Sequence, residues 1–225
     1  KRRAEVNGCG ELAEGLAAWL VPCLMCGAAS IRFGLCGPCR DDFPYVAHAC
    51  ERCAIALPQA ADGGRCLRCV RRPPPFERAF ALLHYEYPVN HLIGALKFAR
   101  RAECGRTLGE LMGESLSRRV EEMPEAIVPI PLHRDRYRER GFNQAMELAL
   151  PIARRLGVDL APHLISRPRA TAPQTGLRAA LRRRNVAGGF RVDSPKLPRS
   201  LALVDDVLTT GSTLSAAARA LRRAG

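Results

Sequence analysis

Apolar positions from residue 76 onward alternate between short runs and longer helical periods. Short runs of the kind that form strands cover residues 80–84, 126–131 and 201–204, with further short strands near Leu164 and Phe190. Helical spacing covers residues 89–100, 107–120 and 142–156, and the run that begins at Leu214 has high helix propensity. This alternation predicts an α/β layer fold with a parallel sheet, in which ligand loops lie at the carboxyl ends of the strands.

The residues before 76 lack this alternation and are rich in cysteine instead. They end in the run Arg-Arg-Pro-Pro-Pro at residues 71–75, which predicts a stiff extended connector. We therefore predict an N-terminal helix, a small cysteine-rich module and a proline-rich linker over residues 1–75. An α/β domain is predicted over residues 76–225, and we expect it to be truncated at its carboxyl end, because the final helical run reaches Gly225.

Eight of the ten cysteines form four Cys-x-x-Cys pairs, which are Cys23/Cys26, Cys36/Cys39, Cys50/Cys53 and Cys66/Cys69. Each pair can grip a metal ion from a tight turn, and two pairs complete the four-thiolate shell that structural Zn²⁺ prefers. The pattern predicts two zinc sites with sequential pairing, although a cross-braced pairing also satisfies the spacing. Disulfides would require an exported protein, and an iron–sulfur cluster is a weaker alternative. We expect His48 to be a surface residue and Cys9 and Cys104 to be unreactive thiols.

Composition narrows the class of protein further. With 225 residues and 47% hydrophobic residues, the chain can fill a sizeable core. The apolar stretch at residues 12–21 is short and interrupted by Glu14 and Gly15, which argues against membrane insertion. No cleavable signal peptide is evident, so we expect a cytoplasmic protein. The formal net charge of +13 favours polyanionic partners such as single-stranded DNA.

The strand at 201–204 leads into an acidic pair and a hydroxyl-rich turn. Backbone N–H groups at the start of the following helix, together with nearby hydroxyls, can enclose a phosphomonoester. The residues of this turn are Thr209, Thr210, Gly211, Ser212 and Thr213. The acidic pair, Asp205 and Asp206, can accept hydrogen bonds from ribose hydroxyls or hold Mg²⁺. The turn contains no lysine, which argues against a P-loop; a ligand-free capped helix and a phosphoacceptor aspartate are the remaining alternatives.

A second anion-binding loop is predicted after the strand at 126–131. The chain there runs from prolines into a dense cationic turn with arginines at 134, 136, 138 and 140. Arginine forks can bind a diphosphate through paired hydrogen bonds, although part of this run is expected to face solvent.

These loops resemble the signature of type I phosphoribosyltransferases. The run Pro-Ile-Pro-Leu at 129–132, Arg-Gly-Phe-Asn-Gln at 140–144, Ala-Leu-Lys-Phe at 95–98, the spaced Arg/Thr/Gln residues at 169–190 and the four cysteine pairs together are similar to the ComF family. The resemblance covers the chain from about Pro22 to its end. It implies a type I phosphoribosyltransferase-like parallel sheet flanked by helices, with a small N-terminal zinc module. This sequence departs from the family pattern in one respect. Members usually carry a further strand after the final helix, and that strand is missing here beyond Gly225.

The resemblance also implies the roles of individual residues. Asp205 and Asp206 would bind the ribose of phosphoribosyl pyrophosphate and its Mg²⁺, and residues 209–213 its 5-phosphate. The pyrophosphate loop would comprise Pro131, Leu132, His133 and Arg134. The loop that closes over the substrate would include Arg169, Thr171 and Gln174. Lys97 either contacts phosphate or lies at the surface, and no general base is identified.

The implied activity is transfer of phosphoribosyl to an acceptor that the sequence does not specify, linked to competence, DNA uptake or nucleotide metabolism. Two alternatives remain. One is a non-catalytic, zinc-containing protein that binds single-stranded DNA in the uptake machinery, because the net charge is strongly positive. The other is a scaffold with a degenerate pocket that docks on a DNA-uptake helicase. The intact acidic pair and phosphate-binding turn favour an enzyme.

Overall fold

A computed structural model of the chain describes residues 21–30, 34–58, 64–119, 122–168 and 189–225. The chain divides into two compact units, residues 1–43 and 44–225. The described part of the first unit contains strand β1 (Val21–Pro22) paired antiparallel with β2 (Ala29–Ser30), followed by the short helix α1 (Gly37–Asp41). The domain boundary expected at residue 75 stays a prediction.

The second unit is built on a parallel three-stranded sheet. Strand β3 (Ala126–Pro129) lies in the centre, between β4 (Asp159–Leu160) and β7 (Leu201–Val204). Both neighbours run parallel to β3. A separate antiparallel pair consists of β5 (Ile165–Ser166) and β6 (Arg191–Val192). The predicted α/β class with a parallel sheet is therefore confirmed, while the type I phosphoribosyltransferase fold stays a prediction.

Helices pack on both faces of this sheet. In chain order the helices that the structure describes in the second unit are α2 (Leu67–Arg71), α3 (Val89–Phe98), α4 (Ala102–Arg119), α5 (Arg134–Arg140), α6 (Gln144–Leu156) and α7 (Ser212–Ala224). Successive side chains of a strand point to opposite faces. Accordingly, Val128 joins a core cluster with Ala217 of α7, whereas Ile127 joins a separate cluster with Ile152 of α6.

A stripe of glycines allows α4 and α6 to pack closely. Gly105, Gly109 and Gly113 recur every fourth residue along α4, so they share one face of the helix. A Cβ atom on Gly109 would lie 2.5 Å from the backbone oxygen of Leu148 in α6. The sequence analysis did not single out this spacing, which is a signal for close helix packing.

Four expectations about local structure need correction. Residues 80–84 do not form a strand, because their backbone bonds reach only the short segment at 44–46 and leave a single bridge between Tyr45 and Leu83. The cationic run at 134–140 is helix α5 and not a loop. Strand β4 was missed, since only two residues pair with β3. The apolar run at 201–204 is typical of a strand that is buried on both faces, but β7 is half-buried along its length. None of the described helices has the length and apolar character needed to cross a membrane.

Candidate functional site

The two predicted ligand loops leave the sheet side by side. Strands β3 and β7 are parallel and in register to their ends, where Pro129 pairs with Val204. The N–H of Ile130 donates to the oxygen of Val204 at 2.9 Å, so the pairing continues into the start of the loop. The residues after each strand therefore emerge at the same edge of the sheet. Pro131, Leu132 and His133 are half-buried there, and Arg134 is exposed.

An ion pair connects the acidic pair at the end of β7 to a lysine of helix α3. Lys97 Nζ forms an ion pair with Asp206 Oδ2, and the two side chains are only 17% and 7% exposed. The Asp206 N–H donates to Asp205 Oδ1 at 2.9 Å. Burial and the adjacent Asp206 charge raise the pKa of Asp205 to about 8, while Lys97 acts in the opposite direction. Since Lys97 pairs with Asp206, the charge of Asp205 is the less compensated of the two.

The hydroxyl-rich turn lies at the N-terminus of α7, as predicted. Gly211 is the N-cap of this helix with φ of +70°, a left-handed conformation that glycine adopts without steric cost. As glycine has no side chain, the N-cap residue itself does not cap the free N–H groups of the first helical turn. Asp205, Thr209 and residues 211–213 line one small pocket, and Thr210 Oγ1 donates to Ser212 Oγ at 3.0 Å. The helix dipole and these N–H groups favour an anion in this pocket. Residues 209–213 are called the phosphate loop below.

The first helical turn of α5 is held by local caps. His133 is its N-cap, and His133 Nδ1 accepts a hydrogen bond from the Asp135 N–H at 3.3 Å. Asn143 connects this region to both neighbouring elements: its Nδ2 donates to the oxygen of Ile130 at 3.1 Å, and its Oδ1 accepts from the N–H of Ala145 in α6 at 3.1 Å. These bonds fix the course of residues 130–143 beside the acidic pair.

Arg167 begins the polar stretch of residues 167–190 in which the closing loop is predicted, but the sequence analysis did not single it out as a site residue. It follows β5, and its guanidinium lies 5.4 Å from the centre of the Phe190 ring. Burial lowers the pKa of Arg167, and the nearby Asp205 acts in the opposite direction. Its position just before Pro168, where the arginine-rich stretch begins, was the available signal. The predicted closing-loop residues Arg169, Thr171 and Gln174 lie outside the described residues.

The structure groups the eight paired cysteines sequentially. The first cysteine group is Cys23, Cys26, Cys36 and Cys39, and the second cysteine group is Cys50, Cys53, Cys66 and Cys69. Within each group all four sulfur atoms lie within 4.8 Å of one another. The Sγ–Sγ distances are 3.6 Å for Cys26–Cys36 and 3.7 Å for Cys53–Cys66. A tetrahedral zinc ion with Zn–S bonds of about 2.3 Å requires roughly 3.8 Å between its sulfur ligands. Both groups could therefore hold zinc.

Backbone N–H donors favour the thiolate form of one cysteine in each group. The Cys66 N–H donates to Cys50 Sγ at 3.3 Å. Although burial acts in the opposite direction, backbone N–H donors lower the pKa of Cys50 and of Cys23 to about 6. Thiolates are the form that binds metal.

The other residues considered as ligands lie apart from these groups. His48 is exposed and belongs to neither group. Cys104 is fully buried in α4, and burial raises the pKa of its thiol, which agrees with an unreactive cysteine. Cys9 lies outside the described residues.

Comparison with known proteins finds relatives along most of the chain. The DNA utilization protein YhgH of Salmonella typhimurium is 37% identical over 197 residues, which cover 86% of this chain and 86% of that protein. The protein of the same name from Escherichia coli K12 is 36% identical over the same share of both chains. Competence protein F of Haemophilus influenzae is 35% identical over 202 residues, or 85% of this chain and 86% of the relative. No family model matches the chain.

Proposed function

This chain belongs to the ComF family, and we propose that it binds phosphoribosyl pyrophosphate at the shared edge of β3 and β7 and transfers the phosphoribosyl group to an acceptor in DNA utilization or competence. The names of its relatives connect them with DNA utilization and competence. The observation that supports the proposal is the register of the two strands: because Pro129 lies opposite Val204, the segment that leads into the cationic helix α5 and the acidic pair start from the same edge of the sheet. A ribose 5-phosphate with a diphosphate at C1 needs both.

Each part of the site has a role in this proposal. The phosphate loop binds the 5-phosphate through backbone N–H groups, and Asp205 and Asp206 accept hydrogen bonds from the ribose hydroxyls. Residues 131–134, with Arg167 nearby, bind the diphosphate. When the acceptor attacks C1, the electron pair of the C1–O bond leaves with pyrophosphate, and cationic residues stabilise the charge that develops there.

The acidic pair also suits a magnesium ion. Carboxylate oxygens are ligands that Mg²⁺ accepts, directly or through water. Lys97 pairs with Asp206, and the raised pKa of Asp205 reflects a poorly compensated charged form, so a bound cation would stabilise the Asp205 carboxylate in place of its proton. When bound with the substrate, Mg²⁺ would neutralise the leaving diphosphate.

A thermal-shift and calorimetric titration of the full chain tests ligand binding. Phosphoribosyl pyrophosphate with Mg²⁺ should raise the melting temperature, because a ligand that binds only the native state stabilises it. The double variant Asp205→Asn/Asp206→Asn should lose this shift, while Asp41→Asn/Asp42→Asn, two exposed acids of the first unit, should keep it. Equal shifts in both double variants would contradict the placement of the site. Transfer itself is tested separately: labelled phosphoribosyl pyrophosphate should release pyrophosphate when one member of a panel of nucleobases is added.

Binding of single-stranded DNA is a second candidate function, which the exposed arginines of α5 favour. Arg134 and Arg138 are exposed on this helix, and the net charge of the chain is +13. If these side chains contact phosphates, the logarithm of the affinity should fall with the logarithm of salt concentration, with a slope of about −0.7 per contact. Arg134→Glu/Arg138→Glu should weaken binding, whereas the control Arg154→Glu/Arg219→Glu on other helices should weaken it less. Binding that does not depend on salt would exclude this role.

The arginines at 182–184, which are a further charge run, lie outside the described residues.

A further inference from the structure

Arg68 belongs to the helical turn of the second cysteine group, and its side chain contacts the phosphate loop. It lies in α2, between Cys66 and Cys69 in the chain. Its Nη1 atom donates to the backbone oxygen of Thr210 at 3.5 Å. The same short helix has Cys66 as its N-cap and contains Cys69, so the backbone of Arg68 is part of the turn that presents two ligands of the second cysteine group. One residue therefore joins a metal-binding group to the turn that precedes α7.

The hydrogen bond between Arg68 and Thr210 fixes the direction of the Gly211 N–H group in the phosphate loop. The oxygen of Thr210 and the N–H of Gly211 belong to the same peptide unit, which is planar and trans, so they point in opposite directions. When Arg68 holds the Thr210 oxygen, the Gly211 N–H is held facing away from Arg68. A donor whose direction is fixed in advance binds an anion more tightly than one that must first be ordered.

Two further contacts hold the same part of the chain against the loop. A Cβ atom on Gly211 would lie 3.8 Å from Phe76 Cζ, which places this ring against the turn. Glu77 Oε1 pairs with Arg222 Nη2 of α7 at 3.2 Å. The segment that leaves the second cysteine group therefore packs on the phosphate loop and on the helix that follows it.

We propose that Arg68 is a positioning residue that couples metal binding in the second cysteine group to phosphomonoester binding in the phosphate loop. A zinc ion with four thiolates carries a net negative charge, which attracts and orders the guanidinium. An ordered Arg68 in turn orders the peptide unit between Thr210 and Gly211. The proposal rests on the proposed function, because it assumes that the loop binds the 5-phosphate of the substrate.

Ribose 5-phosphate is the probe for this coupling, since it tests the loop without the diphosphate. In the zinc-loaded full chain, Arg68→Ala should weaken its binding about fivefold, as expected for loss of one charge-assisted hydrogen bond that acts indirectly. Arg68→Lys should recover part of the affinity. Arg71→Ala, an exposed arginine at the end of the same helix, should bind as the wild type does. Zinc content and the melting temperature without ligand should be unchanged in all three variants.

The coupling is also measurable from the metal side, because linkage between two sites is reciprocal. In cobalt-substituted protein, ribose 5-phosphate should shift the thiolate-to-cobalt absorption of the wild type and of Arg71→Ala, but not of Arg68→Ala. An unchanged wild-type spectrum despite binding, or wild-type affinity in Arg68→Ala, would overturn the proposal and leave the proposed function intact. A wild type that binds neither ribose 5-phosphate nor phosphoribosyl pyrophosphate would overturn the proposed function itself.

Discussion

Lys97 Nζ in helix α3 pairs with Asp206 Oδ2 just after strand β7, and both side chains are largely buried. We expect Lys97→Met to lower the free energy of unfolding by about 2–3 kcal/mol, because it leaves a buried carboxylate without its cation. The exposed Lys196→Met serves as a matched control and should change stability little. Urea denaturation measures both effects.

A double-mutant cycle separates the ion pair from general packing. If the pair exists in solution, Asp206→Asn should recover part of the stability that Lys97→Met loses, since the uncompensated charge is then absent. Strictly additive effects of the two substitutions would mean that Lys97 and Asp206 do not interact.

Asp205→Asn should stabilise the unliganded protein at neutral and alkaline pH. Burial and the neighbouring Asp206 raise the pKa of Asp205 to about 8, well above the unfolded value of about 3.9. The folded state therefore holds the proton more tightly, and this group costs stability increasingly as the pH rises from about 4 to about 8. The stability gained by Asp205→Asn should grow across that range and then level off.

Urea denaturation at several pH values, in the presence of a chelator that removes divalent cations, measures this gain. The substitution preserves an oxygen that can accept the hydrogen bond from the Asp206 N–H, so the turn itself should persist. A gain that is the same at pH 5 and pH 8 would show that Asp205 titrates normally.

The local parts of the site were predictable from sequence. Strand β7, the acidic pair, the turn at Gly211 and helix α7 follow one another directly, so their arrangement depends on short-range geometry. The cysteine pairs were predictable for the same reason, because each Cys-x-x-Cys turn places its own two sulfurs.

The parts that depend on tertiary contact were not predictable. Nothing near Lys97 in the sequence indicates Asp206 as its partner, and nothing near Arg68 indicates Thr210. Helix α5 was missed although its caps were visible, because the arginine run was interpreted as a loop; His133 begins it and Gly141 ends it in a left-handed conformation.

Substitutions of two glycines in helices should have opposite effects on stability. Gly109→Ala places a Cβ 2.5 Å from both the Leu148 oxygen and Pro151 Cγ, and we expect a loss of about 2–3 kcal/mol from overpacking between α4 and α6. Gly94→Ala meets nothing within 4 Å in helix α3 and should gain about 0.5–1 kcal/mol from helix propensity. Thermal and urea denaturation measure both. A neutral Gly109→Ala would mean that the two helices pack less closely than described.

The purified protein should contain about two zinc ions per chain, because each cysteine group has the sulfur spacing of a tetrahedral site. Cys23→Ser and Cys66→Ser should each lose about one equivalent, since the two groups share no ligand. The control Cys104→Ala, in a buried thiol of α4 outside both groups, should keep both ions. Elemental analysis measures the metal, and a thiol titration after denaturation with a chelator should find all ten cysteines reduced. Protein without zinc whose paired cysteines form disulfides would contradict the metal sites, and loss of both ions from either single variant would contradict their independence.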